Sequence, residues 1–255
     1  MDFEIAFWPY QAKWAPPQQY VFITNAPLTA SHRQAVTEEL QPLLGNCAIT
    51  VQGAIDVCAF LDVNLDGSLD FAVANGHIDE TVRNIRGNVG YAQPPQLFLN
   101  TGKGNFHDVA AEAGGSFDQP KVGRGLAYGD FDRDGDLDLL ITTNNGPAYL
   151  YRNDLLSGNR SIRFQLIGTK SNRDAIGTTV QIFTAGVQQS RMVKGGSSYL
   201  SQSELPVTFG LEKRDHIERA VIYWPSGRTE EFKNLSAGRT YECTEGRGIV
   251  PQQGY

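Results

Sequence analysis

LAYGDFDRDGDLDLLITTN, residues 126–144, is the stretch that decides how this chain folds. An apolar segment leads into a tight run of aspartates, and a second apolar segment leads out. The same arrangement stands 68 residues earlier as CAFLDVNLDGSLDFAVANG, residues 58–76. Each copy is followed by an aromatic-bearing segment ending in asparagine, QLFLN at Asn100 and AYLYRN at Asn153. A fixed long period in a chain with 27 glycines and 12 prolines predicts turn-rich β-structure built from propeller-type repeats. The first copy carries an insert, HIDETVRNIRGNVGYAQPP, which reads as a surface loop.

The aspartates have a chemistry of their own. Loop one, DVNLDGSLD, offers Asp62, Asn64, Asp66 and Asp70; loop two, DFDRDGDLD, offers Asp130, Asp132, Asp134 and Asp138. Oxygen donors at positions 1, 3, 5 and 9 of a tight loop converge on one hard cation. Gly67 and Gly135 sit at position 6, where the chain must turn sharply, and position 7 (Ser68, Asp136) would give its backbone carbonyl. A ligand set rich in carboxylate and free of His and Cys favours Ca²⁺ over zinc or copper. An EF-hand also needs a Glu at position 12 between helices. Val73 and Ile141 stand there instead, inside strand-like apolar runs. A solvated Asp/Gly turn is the bland alternative, but five aspartates within nine residues repel one another unless something offsets their charge. Both loops are expected to bind Ca²⁺, and loop two, with four ligand carboxylates, more tightly.

The charge pattern divides the chain. Residues 51–155 hold 15 Asp+Glu and 7 Lys+Arg, net −8, whereas residues 160–245 hold 12 Lys+Arg and 9 Asp+Glu, net +3. The sign change places a domain boundary near residue 157. Beyond it, SIRFQLIG, TTVQIFTAG, SRMVKGG, LPVTFGL, ERAVIYWPSG, TEEFKNL and RTYECTE alternate in polarity between turn residues, which predicts a seven-stranded sandwich. The expected domains are therefore a divergent segment 1–50, two repeats over 51–157, a sandwich over 158–245 and a loose tail over 246–255. In the first of these, SHRQAVTEEL predicts one short helix, capped by Ser31 and ended by Pro42 and Gly45. GGSS at 195–198 lacks the lysine of a phosphate loop and reads as a hairpin turn. Trp224 is expected in a turn capping the sandwich.

Composition excludes several classes. Net charge −6 disfavours nucleic acid, and no apolar run reaches the roughly 18 residues that cross a bilayer. MDFEIAFWPY shows no signal peptide, so the chain is expected either to be cytosolic or to lack the start of a longer precursor. Cys47, Cys58 and Cys243 form no CxxC pair; a Cys47–Cys58 disulfide and two buried thiols both fit. His32, His77, His107 and His216 are scattered, and no GxSxG elbow is present, so no catalytic residue is expected.

The paired loops, NGHI, LFLNTGKGNFHDV and GRGLAYGDFDRDGDLD resemble the FG-GAP/VCBS repeats of cartilage acidic protein-like and integrin α-type propellers. SNRDAIGTTV, GGSSYLSQS, VTFGL and IYWPSG resemble the ASPIC/UnbV domain that follows such repeats. The resemblance covers roughly residues 55–245. It implies an extracellular or cell-surface protein whose repeats hold Ca²⁺ and whose role is adhesion or recognition of a protein or glycan, without catalysis. A closed propeller needs about 4–8 blades, and two repeats are legible here. The alternative is a carbohydrate-binding or accessory module of a larger secreted enzyme, served by Trp8, Trp14 and Trp224.

Overall fold

Each aspartate loop is the bend of a β-hairpin, and each hairpin opens a small antiparallel sheet. The computed structural model describes residues 57–85, 87–101, 105–115, 117–154 and 157–254. The first sheet is a meander of β1 (Cys58–Leu61), β2 (Asp70–Val73), β3 (Gln96–Asn100) and β4 (Phe106–Asp108), in that order. The second is a meander of β5 (Gly123–Gly129), β6 (Asp138–Thr143) and β7 (Tyr149–Tyr151). Strand alternation sorts the side chains. On one face Ala59, Leu61, Ala72 and Leu97 meet Leu126, Leu139 and Ile141 of the second sheet in a shared core. On the other face Phe60, Phe71, Phe98 and Phe106 pack on one another, with Phe71 stacked on Phe98 at 4.4 Å. The insert after the first copy holds one helical turn, α1 (Val82–Ile85), with Ile78 and Ile85 exposed.

Two four-stranded sheets follow. One orders β10 (Val187–Met192), β9 (Thr179–Thr184), β12 (His216–Tyr223) and β13 (Thr229–Ser236). The other orders β11 (Val207–Gly210), β8 (Ser161–Ile167), β14 (Arg239–Thr244) and β15 (Gly248–Gly254), with β14 parallel to β8. Their inner faces close over Ile162, Phe164, Val180, Ile182, Phe209, Ile217, Ile222 and Tyr241. The fold is all-β, two repeat meanders followed by a sandwich, and each of the seven expected sandwich segments carries a strand.

Three details correct the sequence reading. The tail is not loose: β15 pairs along β14 as an eighth strand. It accommodates Pro251 because β15 is an edge strand with one neighbour, where proline removes no ladder bond on the open side. GGSS joins no hairpin of paired strands; it leads into a tight turn bridged by Ser198 and Ser201, within a long loop from β10 to β11 that runs along the edge of β5. There Ser201 Oγ accepts from Leu126 N (3.1 Å) and Ser203 Oγ from Tyr128 N (3.2 Å), which covers an otherwise open strand edge. Trp224 does lie in a turn, with Gly227 N donating to its carbonyl, but its ring is 4% exposed and belongs to the sandwich core. Cys58 and Cys243 are buried free thiols, and burial pushes the Cys58 thiol up to about 11. Cys47, Trp8, Trp14 and the helix expected over 31–40 lie outside the described residues.

Candidate metal centre and the seam around it

The two loops share the hydrogen bonds made at positions 1 and 9. At position 1, Asp62 Oδ1 accepts from Asp66 N (3.0 Å) and Oδ2 from Gly67 N (2.9 Å). Asp130 Oδ1 accepts likewise from Asp134 N (3.1 Å) and Oδ2 from Gly135 N (3.2 Å). At position 9, Asp70 reaches back to Val63 N (2.9 Å) and Asp138 to Phe131 N (2.7 Å). Positions 1 and 9 can meet because they flank the hairpin mouth: Leu61 pairs with Asp70, and Gly129 with Asp138. The turn between them needs a left-handed backbone at position 6, where Gly67 has φ 92° and Gly135 φ 98°.

An asparagine, the last residue of β3 in one unit and just beyond β7 in the other, completes each loop. Asp70 Oδ1 accepts from Asn100 N (2.8 Å) and Asp138 Oδ1 from Asn153 N (2.8 Å). Asn100 Nδ2 donates to Leu69 O (3.1 Å), and Asn153 Nδ2 to Val63 O of the first loop (2.8 Å). The recurrence of Asn100 and Asn153 in the repeat was the signal for this role.

In loop two, one carboxylate oxygen each of Asp130, Asp132 and Asp138 lies within 4.8 Å of the others. Among the described residues this is the one group of three or more acidic, histidine or cysteine side chains so gathered. Asp134 and Asp132 are exposed, while Asp136 is buried. Burial raises the Asp130 and Asp138 carboxyls; Arg163 opposes the rise at Asp130, and the Asn153 and Phe131 amides oppose it at Asp138. In loop one Asp62, Asn64, Asp66, Ser68 and Asp70 share the fold of the loop, with the amide of Asn64 in place of the carboxylate of Asp132. Burial pushes Asp62 up to about 7 and Asp70 up to about 6. Three oxygen-only, anionic side chains meeting at a solvent-facing bend can hold a metal ion.

The sandwich lies directly against both loops. Strands β8 and β11 are buried on both faces, and their outer faces carry Ser161, Arg163, Thr208 and Gly210. Arg163, with a side chain 7% exposed, ion-pairs with Asp130 of loop two and with Glu204 (2.6 Å). Ser161 Oγ donates to Gly135 O (2.6 Å), and Gly210 N to Asp62 Oδ2 (3.1 Å). These contacts were illegible in the sequence, because each joins positions far apart along the chain. Of the described histidines, His107 is exposed on β4, His216 sits beside Asp215 (2.6 Å), and His77 Nδ1 accepts from Asp79 N (3.0 Å) in a turn.

Comparison with known proteins places both halves. Residues 62–141 match the FG-GAP-like repeat family, and residues 168–250 match the ASPIC and UnbV family. Cartilage acidic protein 1 of Mus musculus and of Homo sapiens is 42% identical over 160 residues, and that of Xenopus tropicalis 39% over 159. The match takes in 62% of this chain but spans about a quarter (23–24%) of the length of these curated relatives. The chain thus carries, in this order, an FG-GAP-like repeat segment and an ASPIC and UnbV domain.

Proposed function

We propose that the chain is a calcium-binding recognition module of the cell exterior with no catalytic activity of its own. The observation that carries this reading is the meeting of Asp130, Asp132 and Asp138 at the bend of loop two. Asp134 and the backbone carbonyl of Asp136 complete the proposed set. A flexible, carboxylate-rich bend suits Ca²⁺, which accepts six to eight oxygens, better than Mg²⁺, which demands near-ideal octahedral geometry. The relatives are named for cartilage, which supports an extracellular setting, where the partner would be a protein or a glycan. Among the described residues no helix is long and apolar enough to cross a membrane. The carbohydrate-module alternative loses one of its three aromatics, since Trp224 is buried in the sandwich core.

Calorimetric titration of the whole chain tests the reading. Affinity should fall near ~10⁻⁴–10⁻³ M, as in other extracellular modules. Asp132→Asn and Asp138→Asn should each weaken it about tenfold or more, as expected when ligand charge is removed. A titration without heat, repeated at several temperatures, would reject calcium as the ion.

A further inference from the structure

The two loops share a backbone but not their surroundings. In loop two the bend faces solvent: Phe131 is 67% exposed, and Asp132, Arg133 and Asp134 are exposed as well. In loop one the bend is covered, with Asp62 at 1% and Leu65 at 3%. The carbonyls of Val63, Asn64 and Leu65 accept from Asn153 Nδ2 (2.8 Å), Asn159 Nδ2 (2.8 Å) and Glu212 N (3.0 Å), all lying beyond the first sheet. Gly210 of β11 presses on the loop so closely that a Cβ there would overlap the Asp62 carboxylate and the Leu65 backbone. Gln189 Nε2 holds Gly210 O (2.8 Å), and Arg191 Nη2 reaches Gly67 O (3.4 Å).

Loop one also fastens itself. Asn64 Oδ1 accepts from Asp66 N (3.1 Å) and Asn64 Nδ2 donates to Asp66 Oδ2 (3.0 Å), while Ser68 N donates to Asp66 Oδ1 (2.8 Å) as Asp136 N does to Asp134 Oδ1 in loop two (3.2 Å). The reversed amide would set donor against donor and oxygen against oxygen, so the network fixes this orientation. Both oxygens of the position-5 carboxylate are thereby satisfied by N–H groups. Asp132 of loop two stands where Asn64 stands and, once ionised, has nothing to donate. Its close approach to Asp130 and Asp138 is repulsive, and Arg163 against Asp130 and Arg152 3.9 Å from Asp132, each shared with a further carboxylate, offset only part of that charge and leave room for a cation.

We propose that loop one is a cation-independent socket for the sandwich, and that the chain holds one Ca²⁺, in loop two. The stoichiometry rests on the calcium reading given above; the socket does not. The first copy thus serves docking alone, whereas the second both meets the sandwich, through Arg163 and Ser161, and holds the cation.

Two measurements on the full chain test this. In calorimetry one Ca²⁺ should bind per chain. Asp66→Asn should leave the isotherm within twofold of the parent, and Asn64→Asp, which removes the internal donor, should add a second binding event. Two Ca²⁺ per chain, with one abolished by Asp66→Asn, overturns the assignment. No binding at all overturns the calcium reading and leaves the socket to the second measurement. That one is hydrogen exchange in chelator with Gly210→Ala. The amides of Gly67 and of residue 210, which donate to Asp62, should exchange at least tenfold faster while β14 keeps its protection. Unchanged exchange at those amides overturns the socket.

Discussion

Glu245 shows at the scale of one residue how a charge is kept inside this protein. It is 2% exposed, and its carboxylate accepts from the backbone N–H groups of Thr169 (2.8 Å), Lys170 (2.7 Å) and Ser171 (2.8 Å) and from the hydroxyls of Ser171 (3.1 Å) and Ser226. Burial pulls its pKa up, but these donors outweigh burial and bring it down to about 2. A carboxyl whose folded pKa lies below its unfolded value favours folding above the unfolded pKa, and that contribution is lost as pH falls toward the folded one. The sandwich should therefore lose stability between about pH 4.5 and pH 2. Glu245→Gln should lower the melting temperature at pH 7 by several degrees and flatten that acid limb. A variant with the parental melting profile from pH 2 to 7 would show that the carboxylate has no such role. Residues of this kind were hidden from the sequence for a physical reason. The loop ligands are spaced within nine positions, so their pattern is local and legible. Glu245 meets donors about 75 positions away, Gly210 meets Asp62 at 148, and Arg163 meets Asp130 at 33. Folding alone brings such partners together.

At the scale of elements, the unit is a hairpin closed by the third strand. Asn100 ties β3 to loop one, and Asn153 lies just beyond β7 and ties that strand to loop two. Asn153 does more, because its amide also holds Val63 O and so joins the second unit to the first. Removing either side chain leaves a loop carbonyl without its donor. Asn100→Ala should cost about 1 kcal/mol, as a hydrogen bond usually does. Asn153→Ala should cost about 1 kcal/mol more, having two carbonyls to satisfy, Val63 O (2.8 Å) and Leu137 O (3.4 Å). Urea melts of both variants in chelator would measure this, and equal losses would deny Asn153 its bridging role. Except for β4, the strands of both repeats and the seven alternating segments were legible, since period-2 polarity reports a half-buried strand directly. Strand β15 was not, because GIVPQQG has proline and two glutamines where alternation is expected, and only its neighbour β14 makes it a strand. The polar outer faces of β8 and β11 had no partner legible in the sequence; they face the aspartate loops.

For the whole molecule, the acidic half and the sandwich differ in what holds them. The sandwich core is drawn from residues 162–249 alone, and its loop-facing side is polar enough to be hydrated. We therefore propose a boundary near residue 157 with the sandwich running on through β15. A fragment of residues 158–254 should fold and melt alike with and without chelator, and a fragment ending at residue 245 should melt lower for want of β15. A disordered longer fragment would reject the boundary. The repeat half has less to rely on. It carries net −8 over residues 51–155, and its two sheets share one modest core. Repeat units depend on their neighbours for a continuous core. A cation bound to the native loop but not to the unfolded chain stabilises by mass action, about 2.7 kcal/mol at one hundred times the dissociation constant. The most direct test of the calcium-binding module is hydrogen exchange of the whole chain with and without millimolar Ca²⁺. Protection should rise in β5 and β6, which flank loop two, and stay level in β8 and β14 of the sandwich. Equal protection of β5 and β6 in Ca²⁺ and in chelator would contradict it.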